Sequence, residues 1–262
     1  MPTSRRRALG QHFLRDAAIA GAIVDLVHPT ARDLVVEIGP GKGALTQALA
    51  RTSAAVRAIE VDSGLIPALR ARFPEVEIEE GDARTWDYGA LEAPPGGRVL
   101  VVGNLPYSVS KPILLALVTA RHAISEMALM LQREVAERVA AKPGGKVYGS
   151  LSILTQLYFD VRLALRVPPG AFVPPPKVDS AVLHFRTLDR PRVELDSERR
   201  FHAVVRAAFL QRRKMLGNAL AAGLAVDVET VRTALQAAGI DATRRAETLT
   251  IQEFAMLTSR LS

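Results

Sequence analysis

The segment Leu34-Val35-Val36-Glu37-Ile38 runs without a break into Gly39-Pro40-Gly41-Lys42-Gly43 and then into a helical pattern over 44–50. The apolar run is too short for a helix and too continuous for a strand with one wet face, so it reads as a strand buried on both faces. A glycine turn between such a strand and a helix is the opening of a βα unit. The pattern then repeats. Strands are expected at 56–60, 76–80, 98–103 and 127–131, with helices at 63–72 and 110–120 between them. Strands alternating with helices predict an α/β fold, a parallel sheet with helices on both faces.

The flanks differ in character. Before the first strand, Asp16 is placed to cap a helix carrying Ile19, Ile23, Val24 and Val27. Helices are expected over 134–145 and 149–159, then closing strands at 161–167 and 180–186. The intervening Val-Pro-Pro-Gly-Ala-Phe-Val-Pro-Pro-Pro-Lys-Val-Asp stretch reads as a stiff loop without regular structure. Around 189–198 the chain turns polar, and no strand signal follows. Helices are expected around Val204–Phe209 and Val228–Ala238, the second closed by Gly239, and after a capping box of Thr250 and Glu253. The boundary therefore falls between an α/β domain over 1–188 and a small all-α domain over 189–262.

Composition narrows the partners. Lys+Arg is 34 against Asp+Glu 27, a net charge of +7, and the sequence pI is about 10.1. A chain this basic favours acidic partners, nucleic acid first. Candidate patches are Arg5-Arg6-Arg7, Lys142 with Lys146, and Arg212-Arg213-Lys214. With no cysteine, disulfides and thiolate metal sites are excluded, and the five scattered histidines predict no metal. No apolar run approaches the roughly 18 residues that span a bilayer, and the basic start lacks the apolar stretch of a secretory signal. The expectation is a cytoplasmic monomer that binds no membrane.

Three features sit on consecutive strand ends. Gly39, Gly41 and Gly43 let the backbone approach a ligand. Glu60, about 20 residues on, is placed to accept both ribose hydroxyl hydrogens. Asp82 follows the third strand, placed to receive the exocyclic amine of an adenine ring. The third glycine comes one residue early for the pyrophosphate fingerprint, and no Walker lysine follows. That spacing suits a nucleoside cofactor without phosphates, such as S-adenosylmethionine.

The fourth strand leads into Asn104-Leu105-Pro106-Tyr107, at the strand ends where open α/β sheets bind ligands. The adenine N6 lone pair is delocalised into its ring, which makes N6 a poor nucleophile. The Asn104 side-chain oxygen and a backbone carbonyl of this turn can accept both N6 hydrogens and aim the lone pair at a sulfonium methyl. Tyr107 can stack on the base, for roughly 1–3 kcal/mol. The chemistry would be a direct in-line transfer driven by positioning and electrostatics.

Gly10-Gln11-His12-Phe13-Leu14, the run from Glu37 to Thr46, Glu60, Gly81-Asp82-Ala83, Asn104–Tyr107, 172–182 and 244–250 together resemble the ribosomal RNA adenine N6,N6-dimethyltransferases of the KsgA/RsmA type, over essentially the whole chain. The resemblance implies S-adenosylmethionine as donor. It implies as substrate two adjacent adenosines in the 3′-terminal hairpin loop of 16S rRNA, in the immature small ribosomal subunit. It implies cofactor contacts at His12, Leu14, Gly39, Gly41, Glu60, Asp82, Ala83 and Asn104, and a reacting site of Asn104, Leu105, Pro106, Tyr107 and Phe172, the last on the other face of the adenine. Three positions depart from common family usage. His12 and Ser108 stand where relatives often carry Asn, and Ser150 where they usually carry Arg. The alternatives are an Erm-type 23S rRNA adenine methyltransferase, which shares the catalytic half, a DNA adenine methyltransferase, disfavoured by the Asn-Leu-Pro-Tyr spelling, and a small-subunit assembly checkpoint factor with catalysis secondary.

Overall fold

A computed structural model describes residues 12–261; the Arg5-Arg6-Arg7 patch, Gly10 and Gln11 lie outside the described residues. The chain forms two compact units, one over 1–136 and 160–187, the other over 137–159 and 188–262. One division falls between 187 and 188, just ahead of the polar stretch at 189–198. The second unit also draws in 137–159, a stretch that sequence alone assigns to the first domain. Its apolar side chains, Leu151, Ile153 and Leu154 among them, are buried, and its helix packs on a helix of the C-terminal part.

The first unit is built on a seven-stranded sheet. In chain order its parallel strands are β2 (Leu34–Ile38), β3 (Ala55–Glu60), β4 (Glu77–Glu80), β5 (Val99–Asn104) and β6 (Glu126–Gln132). Two later strands, β7 (Phe159–Val167) and β9 (Ser180–Thr187), complete the order β4-β3-β2-β5-β6-β9-β7, with β9 antiparallel to β6. The chain steps outward from β2 to β4, then returns to place β5 on the other side of β2. That reversal makes a crevice at the C-terminal ends of β2 and β5, where an open α/β sheet admits a ligand.

Strand burial explains the continuous apolar spelling. Val35, Val36, Val99, Leu100, Val101 and Val102 are all inaccessible to solvent. On one face Val35, Leu100, Val102, Ala128 and Met130 share a core with Ala20, Ile23 and Val24 of α1 (Ala17–Asp25). Asp16 caps α1, its carboxylate accepting from the Ala18 and Ile19 amides. Helices α2 (Ala44–Leu49), α3 (Ile66–Arg72) and α4 (Ser110–Thr119) complete the βα connections. At the opposite end of the sheet from the crevice, Arg98 bonds Asp33 (2.9 Å) and Glu126 (3.0 Å), and Glu126 accepts from His184 Nε2 (2.8 Å). Arg162 Nε donates to His184 Nδ1 at 3.1 Å. These contacts tie five neighbouring strands at their closed end.

Two local expectations change. The helix expected over 134–145 stops early, as α5 (Arg133–Val139), and the next, α6 (Ser150–Gln156), ends before the strand that begins at Phe159. Gln156 Nε2 donates to the carbonyls of Val139 and Ala141, satisfying backbone groups that a longer α5 would have paired itself. The proline-rich stretch is also more ordered than its composition suggests. It holds a short 3₁₀ turn (Pro169–Ala171) and a two-residue strand, β8 (Phe172–Val173), which pairs antiparallel with β1 (Phe13–Leu14). Pairing partners 158 and 160 residues away cannot be read from local composition.

The second unit is helical apart from Phe159, the first residue of β7. Its longer helices are α7 (Glu198–Leu210), α8 (Leu216–Leu224), α9 (Val228–Ala237) and α10 (Ile251–Arg260). The capping box at Thr250 and Glu253 forms as expected; α8 has no counterpart in the sequence reading. Arg212 donates to the carbonyls of Lys146 (2.7 Å) and Tyr148 (2.9 Å), joining the 142–148 turn to the end of α7. Among the described residues no helix is long and apolar enough to cross a membrane.

Candidate active site

At the switch point lies a cleft of about 900 Å³, counting the part open to solvent. Eleven of the twelve residues expected to act are among those lining it: His12, Leu14, Gly39, Gly41, Glu60, Asp82, Ala83, Asn104, Leu105, Pro106 and Tyr107. Register explains the convergence. Ile38 pairs with Gly103 and with Ile59, so the glycine turn, Glu60 and Asn104 leave neighbouring strands at one level.

Gly39 and Gly41 have φ of +67° and +58°, in the left-handed region that glycine tolerates best. A Cβ on Gly39 would meet nothing within 4 Å, whereas one on Gly41 would lie 2.9 Å from the Phe13 ring. The turn is therefore closed on one side by β1 and open on the other toward the cleft. Glu60 secures it from the next strand: Oε2 accepts from the Gly41 amide and Oε1 from the Asp62 amide, both at 2.9 Å. Each carboxylate oxygen keeps a lone pair for a ligand hydroxyl. Burial pushes the Glu60 carboxyl above its usual value, while the amides of Asp62 and Gly41 pull it back.

Asp82 is more engaged than expected. Arg84 folds back on it, with its backbone amide and its Nε each 2.9 Å from Oδ1. The guanidinium holds this carboxyl below its usual value. An adenine amine reaching Asp82 must share those oxygens with Arg84.

At the reacting edge, Asn104 Nδ2 donates to the His12 carbonyl at 3.0 Å. That carbonyl can only accept, so the amide's orientation is fixed and Oδ1 is the atom turned to other partners. The His12 ring is itself fixed, with Nδ1 2.8 Å from the Pro174 carbonyl. Arg15 binds the carbonyls of Ala171 (2.9 Å) and Gly170 (3.2 Å). The 12–15 segment is thus a strap clamped to the proline-rich loop, and it delivers the atom that orients Asn104. The His12 and Tyr107 rings lie 5.6 Å apart, centroid to centroid.

Phe172 is the exception. It is only 2% exposed and belongs to the core under the β1–β8 ribbon; it is not among the residues lining the cleft. Residues not singled out from sequence also line the site. Val61, half-exposed beside Glu60, offers an apolar shelf. Lys42 stands over the Phe13 ring at 5.0 Å. Glu37 is the least expected. The Thr46 hydroxyl and amide approach the buried Glu37 carboxylate without closing a full hydrogen bond to it. Burial pushes the Glu37 carboxyl up to about 8, with Thr46 pulling the other way and the Glu60 charge adding to the rise. An acid inside an apolar strand carries no sequence mark of whether it meets water.

The donor set fits S-adenosylmethionine. Acidic side chains stand where hydroxyl and amine hydrogens would point, Gly39 leaves room for close approach, and Lys42 is the one lysine or arginine among the lining residues, so no cationic cluster awaits a pyrophosphate. Among the described residues no three His, Asp or Glu side chains converge as a metal site requires.

Sheet order and cleft chemistry together put the molecule among the Rossmann-like methyltransferases. Its fold is similar to that of a crystallised dimethyladenosine transferase from Plasmodium falciparum (TM-score 0.79, 24% identity, 94% of this chain and 96% of that one). It is also similar to the 23S rRNA methyltransferase ErmE (TM-score 0.70, 26% identity, 95% and 99%). Among curated proteins, the ribosomal RNA small subunit methyltransferase A of Geobacter metallireducens is 48% identical over 257 residues, 96% of this chain and 94% of the relative. The protein of that name from Geobacter sulfurreducens is 47% identical over 264 residues, 98% and 95%. The profile of the ribosomal RNA adenine dimethylase family matches residues 3–262. The chain belongs to that family.

Proposed function

We propose that this protein dimethylates N6 of two adjacent adenosines in the 3′-terminal hairpin loop of small-subunit rRNA, acting on the immature subunit late in its assembly. The observation that carries the reading is the locked Asn104 amide, with its nitrogen on the His12 carbonyl and its oxygen left for another partner in the cleft that Glu60 and Asp82 also line. The small-subunit assignment follows the relatives at 41–48% identity, which share one name, against 26% for ErmE.

When bound, S-adenosylmethionine supplies a methyl group already activated on a sulfonium. Glu60 accepts the ribose hydroxyl hydrogens through its remaining lone pairs, and Asp82, kept ionised by Arg84, accepts from the cofactor's adenine amine. Asn104 Oδ1 accepts one hydrogen of the target N6. The Pro106 and Tyr107 carbonyls already accept from the Val109 amide and the Ser110 hydroxyl, so the Leu105 carbonyl is the least engaged of the three and accepts the other. Drawing both hydrogens into one plane restores lone-pair density to N6. The Tyr107 ring supports the base by stacking. With the leaving group pre-activated, no strong base is needed, and positioning supplies much of the rate.

The target base must leave its loop, at a cost of a few kcal/mol that falls when it is already unstacked. Affinity comes from phosphate contacts and RNA shape. Arg213, Lys214, Lys142 and Lys146 serve this role, while Arg212 holds the turn that carries Lys146. Binding should weaken steeply as salt rises, in proportion to the number of phosphates neutralised.

Tritiated methyl transfer to unmethylated small and large subunits, followed by nucleoside analysis, tests the assignment. The expected product is N6,N6-dimethyladenosine in small-subunit rRNA. Label confined to large-subunit rRNA would favour the Erm-type reading, and no label on either would refute both. An Asn104→Ala protein that still docks and supports assembly would establish a separate checkpoint role.

A further inference from the structure

The ring at the reacting edge is anchored by a residue outside the cleft. Tyr107 Oη and Ser180 Oγ are 2.6 Å apart. Ser180 is wholly buried and opens β9, opposite Gln132 at the end of β6. It follows directly on the proline-rich loop whose earlier part is clamped to the 12–15 strap. Shut off from water, its hydroxyl depends on a protein partner, and the phenol is the side chain that meets it. A tyrosine hydroxyl lies on the ring axis. Fixing it leaves rotation about that axis possible but arrests the χ1 swing that would carry the whole ring sideways. The remaining freedom is limited by the His12 ring, and the backbone is held where Ser110 Oγ donates to the Tyr107 carbonyl at 3.3 Å.

We propose that Ser180 is a positioning residue for the methyl transfer: through the Tyr107 hydroxyl it sets where the stacking plane stands, and so where N6 stands relative to Asn104 Oδ1. The proposal rests on the reading of Tyr107 as the ring that supports the target base. Ser180 is not among the residues lining the cleft, so its removal should leave cofactor binding untouched and slow the chemical step. It also gives the proline-rich loop a second task. As well as holding the 12–15 strap through β8, the loop delivers the serine that fixes the Tyr107 ring.

The test is single-turnover methyl transfer to unmethylated small subunits by wild type, Ser180→Ala, Tyr107→Phe, the double variant and Ser180→Thr, with S-adenosylmethionine affinity measured alongside. Phenylalanine stacks as tyrosine does but has no hydroxyl to fix. Each single removal of a hydroxyl should slow the step roughly 3- to 10-fold, the worth of one net hydrogen bond, at unchanged cofactor affinity. The double variant should be no slower than the slower single, because both changes delete one interaction. Ser180→Thr, which keeps the hydroxyl, should stay within about twofold of wild type. A wild-type rate for Ser180→Ala, or losses that multiply in the double variant, would overturn the proposal. Should Ser180→Ala not fold, Tyr107→Phe decides: an unchanged rate overturns the role, a slowed step at unchanged affinity supports it. Failure of the wild type to label small-subunit rRNA would sink the functional reading itself; labelling by wild type without coupling between the variants would sink only the role of Ser180.

Discussion

The two ends of the cleft are held by different means. At the cofactor end the ties are short in sequence. Glu60 reaches Gly41 across 19 residues and Asp62 across two, and Arg84 reaches Asp82 across two. At the reacting end they are long: Asn104 to His12 spans 92 residues, Tyr107 to Ser180 spans 73, and His12 to Pro174 spans 162. The first end takes shape with its own βα units. The second is complete only when the strap before the first helix, the fourth parallel strand and the proline-rich loop have met. Cofactor affinity should therefore be a local property, and catalysis a property of the assembled unit.

That contrast breaks most sharply at Asn104. Asn104→Ala should lower the single-turnover rate by about 10²–10³, the usual toll for losing a preorganised polar contact in a transition state, while S-adenosylmethionine affinity in calorimetry changes only a few-fold. An equal loss in both would mean that the two ends are one.

Glu37 lies between the ends and gives the molecule a pH signature. Its folded carboxyl, pushed up to about 8 against an ordinary 4.5, holds its proton where the unfolded chain has lost it. The folded state then binds more protons between those values, so this contribution is full below about pH 4.5 and is lost as pH rises through about 8. Its size is on the order of a few kcal/mol. Glu37→Gln should flatten the fall in thermal midpoint between pH 6 and pH 9, by about 5–10 °C, and be the more stable protein at pH 9. Parallel melting curves with the same fall would show the group ionised in the fold.

Two smaller effects belong to the cofactor end. Glu60→Gln replaces one acceptor oxygen with a donor that cannot serve the Gly41 or Asp62 amide. Its S-adenosylmethionine affinity should drop about tenfold, with the rate at saturating cofactor within about twofold. Arg84→Ala frees the Asp82 carboxylate from an exposed ion pair. Cofactor affinity should rise by less than about threefold, and the difference should shrink further in high salt.

The same division governs what the sequence makes legible. The strand at 34–38, the glycine turn, and the acids after β3 and β4 are each recognisable from a few adjacent residues, because the physics that places them is local. Asn104 and Tyr107 are recognisable as a motif, but what orients them is not. No spacing rule connects His12 to Asn104, and Ser180 looks like an ordinary strand serine. Phe172 shows the limit from the other side. Its place after a proline-glycine turn suggests an exposed aromatic, and only the β1–β8 pairing reveals that its ring is buried. Glu37 is spelled like any strand residue, and its burial follows from layers of structure above and below it.

Whether Asn104 presents a fixed carboxamide oxygen to the purine's amino group can be seen in a crystal structure of the protein with adenosine and a non-reactive cofactor analogue. Oδ1 should lie at hydrogen-bond distance from N6, with Nδ2 still on the His12 carbonyl and the Tyr107 ring against the base. A carboxamide rotated away from N6, with the His12 contact broken, would contradict it.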